Sequence, residues 1–163
     1  MSKFALTKKH FLIAQLQADD SASLTQIHQH CFIPAWEKQA FDHFLQDHSI
    51  FGYKASLIQK PDTILGFCLC RLILDEAEII TIAVQPHYRR QGIGHLLIDS
   101  TLHHLQHKNA IKLFLEVEET NVSALNLYQC FKFQKISKRP AYYKSKNSRI
   151  DAIIMQKTFK QTD

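Results

Sequence analysis

Glycine is scarce in this chain. Four glycines occur in 163 residues, and two of them, Gly92 and Gly94, fall within one short stretch, Pro86-His-Tyr-Arg-Arg-Gln-Gly-Ile-Gly94. Other absences set outer bounds. No run approaches the ~20 apolar residues of a membrane span, so no membrane association is expected. The opening Met-Ser-Lys-Phe-Ala-Leu-Thr-Lys-Lys lacks the order of a secretory signal, and a cytoplasmic setting is the expectation. The four cysteines, Cys31, Cys68, Cys70 and Cys130, show no CxxC spacing. Neither a zinc site nor a disulfide frame is indicated, and buried free thiols are expected. There is no repeat, low-complexity tract or linker. Residues 1–163 therefore read as one domain, long enough to bury a real core. A 45% hydrophobic and 21% charged composition is that of a soluble globular protein.

What is present centres on the two glycines. The strand-like run Glu78-Ile-Ile-Thr-Ile-Ala-Val84 precedes them and the helical run His95 to His107 follows. Glycine lets backbone amides approach a ligand closely. A helix start adds unpaired N–H groups and the positive end of the macrodipole. Strand, glycine turn and helix together form a cradle for a phosphate or pyrophosphate. A Walker loop is excluded, because His95-Leu96 stand where Lys-Ser or Lys-Thr is needed. A dinucleotide fingerprint is excluded, because only two of its three glycines are present and they lie deep in the chain.

Periodicity and turn chemistry predict the rest. Strands are expected at about 10–17, 50–59, 64–74, 77–85, 111–117, 132–139 and 149–158, and helices at about 21–31, 36–47, 93–107 and 122–131. Pro61-Asp62 is read as a hairpin turn, Gly52 as punctuation, and Tyr142-Tyr143 as part of a polar loop between the last two strands. Asn121 is a plausible N-cap. The order predicts a mixed α/β, or α+β, sheet of about seven strands with helices on both faces.

The net charge of +5 and pI near 9 allow an anionic partner without requiring nucleic acid. No RNP-type aromatic motif or helix-turn-helix signature is present. His103 and His107 have metal-ligand spacing on one helix, but no third ligand completes a set. A solvated helix face explains them better, and no metal is expected.

Five pieces occur in order: Glu78-Ile-Ile-Thr-Ile-Ala-Val84, Arg89-x-x-Gly92-x-Gly94, Leu115-Glu116-Val117, Asn121-x-x-Ala124-x-x-Leu127-Tyr128 and Asp151-Ala-Ile-Ile-Met155. This set resembles the GNAT superfamily of N-acetyltransferases, within it the RimI-type ribosomal-protein alanine N-acetyltransferases. The match runs from about 64 to 158. The Trp36 region and Tyr142-Tyr143 also look like that subgroup. The resemblance implies an acetyl-CoA-dependent transfer to the N-terminal α-amine of a protein, with a ribosomal protein beginning in alanine as the expected partner. A monomer or weak dimer is expected. A small-amine acetyltransferase and a non-catalytic coenzyme or nucleic-acid module stand as the alternatives.

The resemblance also assigns residues. Glu116, a carboxylate in an apolar strand, becomes the general-base candidate. Tyr128 becomes the general acid beside the coenzyme sulfur, since a phenol can protonate a thiolate. The coenzyme is expected along Ile82, Ala83 and Val84, on the turn Arg89, Arg90, Gln91, Gly92, Ile93 and Gly94, and at Asn121 and Tyr128. A backbone amide near Val84 is the expected oxyanion donor. The strands at 77–85 and 111–117 should splay to admit the pantetheine arm. Two acidic groups, 75–78 and 116–119, are expected together on the acceptor side, which makes Glu76 and Glu118 substrate-binding candidates alongside Tyr142 and Tyr143. One departure stands out. The family usually carries Gly-Phe after the tyrosine helix, and this chain has Lys132-Phe133. A left-handed lysine costs on the order of 1 kcal/mol, so a different helix end is anticipated.

Overall fold

The computed structural model describes residues 10–144 and 149–160, the side chains of 141–144 excepted. Strands β1 (Phe11–Gln15), β2 (Ile50–Leu57), β3 (Lys60–Ile73), β4 (Glu76–Val84), β5 (Lys112–Glu118), β6 (Gln134–Lys144) and β7 (Arg149–Thr158) form one mixed sheet. Their spatial order is β1-β2-β3-β4-β5-β7-β6. Only β4 and β5 run parallel, because α3 (Ile93–His107) provides the crossover between them. Helices α1 (Ser21–Cys31) and α2 (Lys38–Gln46) cover one face, and α3 and α4 (Val122–Cys130) the other.

Each face has its own core. Leu24, Ile27 and Phe41 from α1 and α2 meet Phe67 and Leu69 of β3 and Ala83 of β4. On the other face Ile93, Leu97 and Leu105 of α3 and Tyr128 of α4 meet Leu113, Leu115 and Val117 of β5. Burying each large apolar side chain stabilises the fold by roughly 1.5–3 kcal/mol. A smaller aromatic cluster closes the α1–α2 connection. His28 is buried and stacks on Phe32 and Trp36, at ring separations of 4.3 and 4.7 Å. Its Nδ1 accepts the Trp36 amide at 3.1 Å, which places the ring proton on Nε2. Burial lowers the His28 pKa from 6.5 to about 4.

Several expectations need correction. The hairpin turn falls at 58–59, with Lys60 between it and Pro61, and Pro61-Asp62 lie within β3. Proline has no N–H for the ladder, and the β2–β3 register shifts there, between the Ser56↔Ile64 and Leu57↔Lys60 pairs. Gly52 does not interrupt its strand. It sits inside β2, where an added Cβ would overlap the Cys68 carbonyl oxygen. Tyr142 and Tyr143 belong to β6, not to a loop, with Tyr143 opposite Ile150. Their side chains lie outside the described residues. Of the cysteines, Cys68 and Cys70 are buried free thiols, Cys31 is half-buried and Cys130 is exposed.

Candidate active site

The site begins with a break in the sheet. β4 pairs with β5 only from Glu76↔Lys112 to Glu78↔Phe114, although both strands continue, to Val84 and Glu118. The cause is local. Along β4 the partner of Leu69 is Thr81 and that of Cys70 is Ile79, so Ile80 is an extra residue. A bulge bends and twists the strand that carries it. This one lies just past the last β4–β5 pair, and the strands part beyond it.

Hydrogen-bond alternation shows what lines the opening. The Gln85 amide donates to the Leu65 carbonyl at 2.8 Å. Residues of an antiparallel strand alternate between facing and turning from a given partner. The Ile82 and Val84 backbone groups therefore turn from β3 toward the opening. Opposite them, the Glu119 amide donates to Asp151 at 3.0 Å, so the Glu116 and Glu118 backbone groups face the opening from β5. Two strand edges thus turn peptide groups that lack β4–β5 ladder partners toward one another across a gap, a place for an extended arm rich in amides. Ala83 turns its side chain into the α1–α2 core instead.

The glycine turn lies at the end of β4. Gly92 is the N-cap of α3 with φ 88°, left-handed, and a Cβ there would meet nothing within 4 Å. Arg90 also has positive φ, 63°. The Leu96 amide reaches the Gly92 carbonyl at 3.1 Å, so the Ile93, Gly94 and His95 amides precede the first helical bond and remain as donors. Gly94 lets α4 approach, since a Cβ there would stand 3.2 Å from Leu127. Gln91 folds onto its own turn, its Nε2 donating to the His87 carbonyl at 3.4 Å.

Arg89 makes contacts within the protein that the sequence did not anticipate. Its Nε donates to the Val84 carbonyl at 3.1 Å and its Nη2 to Cys31 Sγ at 3.4 Å. The Cys31 thiol donates to the same Val84 carbonyl at 3.5 Å. Arg89 thus straps the turn to β4 and α1. The Val84 carbonyl is occupied, and its amide is left toward the opening. Nothing in the sequence pointed to Cys31, because its contacts depend on how α1 lies over β4.

Tyr128 is buried on α4 and packs on Phe133, with ring centres 5.6 Å apart. The helix end that holds it is the one the family pattern calls for, despite the lysine. Lys132 is left-handed, φ 63°. The Phe133 amide reaches back to the Tyr128 carbonyl at 3.1 Å and the Lys132 amide to Gln129 at 2.9 Å. This is a Schellman motif with its apolar contact made by Tyr128 and Phe133 themselves. The anticipated different ending does not occur. At the other end Asn121 caps α4, its Oδ1 accepting the Ala124 amide at 3.1 Å.

Glu116 stands on the α1–α2 face of β5, with Leu115 and Val117 buried on the opposite face. Glu116 and Tyr128 thus lie on opposite faces of the sheet. Glu118 shares the Glu116 face. The two acidic groups expected to lie together are separated by the register. Glu76 pairs with Lys112 at the start of β5, six residues before Glu118, or roughly 20 Å at strand rise. Glu76 is not part of this site. His103 and His107 lie on the exposed side of α3, where His107 Nδ1 donates to the His103 carbonyl at 2.8 Å.

Comparison with known proteins fits this geometry. Residues 21–133 match the model of the Acetyltransferase (GNAT) family. A [ribosomal protein bS18]-alanine N-acetyltransferase from Haemophilus influenzae is 32% identical, over 88% of this chain and 96% of its own. The crystal structure of the Escherichia coli ribosomal-protein-S18-alanine N-acetyltransferase superposes with a TM-score of 0.85 at 29% identity, covering 94% of this chain and 96% of that one. Arabidopsis thaliana NAA60 in complex with acetyl-CoA shares the fold, with a TM-score of 0.80 at 18% identity over 91% of this chain and 98% of its own. The family model spans more than half of the chain, and the chain belongs to the GNAT family of acetyltransferases.

Proposed function

We propose that this protein transfers acetyl from acetyl-CoA to the N-terminal α-amine of a protein, with a ribosomal protein that begins in alanine as the acceptor. The observation that carries the reading is the opening between β4 and β5, with Glu116 on its β5 edge and the left-handed Gly92 turn after its β4 edge. The likeness to the bS18-alanine enzymes over nearly the whole of their length supports the acceptor.

The residues fit the coenzyme. Gly92 leaves open space where a side chain would stand, and the following amides are directed outward at a helix start. The amides of Gly92, Ile93 and Gly94, with Arg90 nearby, hold the pyrophosphate. The edge at Ile82 bonds a pantetheine amide as a strand would, and the arm runs on past Ala83 to Val84. Bound acetyl-CoA supplies the acetyl group as a thioester. The Val84 amide receives the negative charge that develops on the attacked carbonyl oxygen. Glu116, directly or through one water, takes the proton that the α-ammonium must lose. An α-amine titrates near ~8, so a base matters most below that pH. Tyr128 delivers a proton to the departing thiolate. Glu118 carries no ion pair among the described residues, and it attracts a basic residue that follows the acceptor's first alanine.

Peptides beginning Ala-Arg, the same peptides with blocked N-termini, and free polyamines, each incubated with acetyl-CoA and read by mass, test the proposal. Acetylation of the first set alone is expected. Equal modification of the blocked peptides would point to lysine side chains. A preference for polyamines would point to a small-amine enzyme.

A further inference from the structure

The Glu116 carboxylate is held. Arg139 Nη2, on β6, donates to Glu116 Oε1 at 3.1 Å. The two residues are not on adjacent strands. β7 runs between them, with Ile154 opposite Glu116 and Ala152 opposite Arg139. Paired residues share a face, so both charged side chains lie on one face and reach across β7. Alanine at 152 leaves the room that such a crossing needs.

The anchor at Arg139 is itself fixed. Its neighbour Lys138 emerges on the opposite face, where it bridges Glu119 at 2.8 Å and Asp151 at 3.0 Å. Adjacent residues of β6 therefore fasten both faces of the sheet to carboxylates on β5, just past its end and on β7. Immediately beyond, the β6–β7 ladder shifts register between Arg139 and Tyr143, where Pro140 lacks the N–H a regular ladder needs. Arg139 is the last regularly paired residue before that irregularity.

We infer that Arg139 is a positioning residue for the general base. It engages Oε1 of Glu116 and leaves Oε2 to accept the proton from the incoming amine. The inference rests on the proposed role of Glu116. An unheld glutamate on a half-exposed strand samples several rotamers, and only some present an oxygen to the amine. Arginine suits the task, because its fork stays charged at every working pH and fixes direction as well as distance.

A double-mutant cycle tests this. Arg139→Gln alone should lower kcat roughly tenfold, the scale of the rotamer freedom a glutamate loses on being fixed. Acetyl-CoA affinity and melting temperature should change little, because the Arg139 side chain is half-exposed on β6. Arg139→Lys should recover part of the loss. In a Glu116→Gln background the Arg139→Gln change should cost less than about twofold, since the group it acts through is gone. Losses that multiply across the cycle, or an Arg139→Gln enzyme with native kcat, would overturn the inference while leaving Glu116 as base. A Glu116→Gln enzyme with native turnover would instead overturn the proposed role of Glu116. Should Arg139→Gln fail to fold, Arg139→Lys carries the same cycle, with a several-fold loss expected in the native background and none beside Glu116→Gln.

Discussion

Tyr128 is fixed by its own backbone as well as by its ring. Its carbonyl accepts the Phe133 amide and its ring packs on Phe133, so few degrees of freedom remain for the phenol to lose when substrate binds. Pre-ordering of this kind is what a proton donor to a leaving group needs. Tyr128→Phe keeps the ring and the packing and removes the proton. The expected result is a fall in kcat of ~10²-fold or more, with coenzyme affinity little changed. Single-turnover kinetics beside calorimetric titration with acetyl-CoA would separate the two, and a native kcat would remove Tyr128 from the chemistry. Glu116 and Tyr128 were legible as candidates because a carboxylate amid Leu-Phe-Leu and an ordered set of family motifs stand in the sequence itself. The partners of Glu116 and Val84 were not. Arg139 reads as one cation in a basic C-terminal stretch, and Arg89 reads as a phosphate ligand. Their real contacts depend on strand order and on which face a register selects.

The elements that carry the site are irregular where it matters, and each irregularity has a local cause. The parting of β4 and β5 follows from the extra Ile80, and the capture of Tyr128 follows from a left-handed residue at 132. Helix α3 and strand β7 were predicted to the residue, because apolar periodicity marks them from end to end. Pro61 and Tyr142-Tyr143 have turn-like composition, yet the strands absorb them in a shifted register. Lysine at 132 adopts a conformation that suits glycine better. A second cost falls on Lys157, whose Nζ bonds the Phe131 carbonyl at the end of α4. Its pKa is lowered by burial and, secondarily, by the charge of Lys132. Lys132→Gly removes the backbone strain and the Lys132 share of the Lys157 cost, offset in part by the greater freedom of glycine in the unfolded chain. The expected net gain is about 0.5–1 kcal/mol, seen as a rise of ~1–3 °C in melting temperature, with turnover unchanged. A lower melting temperature would mean that Lys132 makes contacts worth more than its strain.

Across the whole molecule, seven strands with helices on both faces were readable from periodicity and connection lengths, but the distances between distant motifs were not. Glu76 and Glu118 look like one acidic site in sequence and stand at opposite ends of β5, because parallel pairing places the start of β4 beside the start of that strand. Long-range packing also creates an acid sensitivity of the fold. His28, unremarkable in sequence, is enclosed by Phe32, Trp36 and Phe41 and stays neutral down to about pH 4. In the unfolded chain it titrates near 6.5. Between those values the unfolded state binds a proton that the folded state excludes, so stability falls as pH drops through this window. Above 6.5 both states are neutral and this group contributes no slope. Below about 4 its effect is complete, at roughly 3 kcal/mol from the separation of the two titrations. His104, also lowered chiefly by burial, adds in the same direction. Replacing His28 with asparagine keeps an acceptor where Nδ1 receives the Trp36 amide and removes the titration. His28→Asn should therefore be less stable near neutral pH, from lost stacking, yet lose much less stability than the parent between pH 6.5 and 4. Urea unfolding at several pH values would show this as a flatter curve. Parallel curves for the two proteins would mean that the acid sensitivity arises elsewhere.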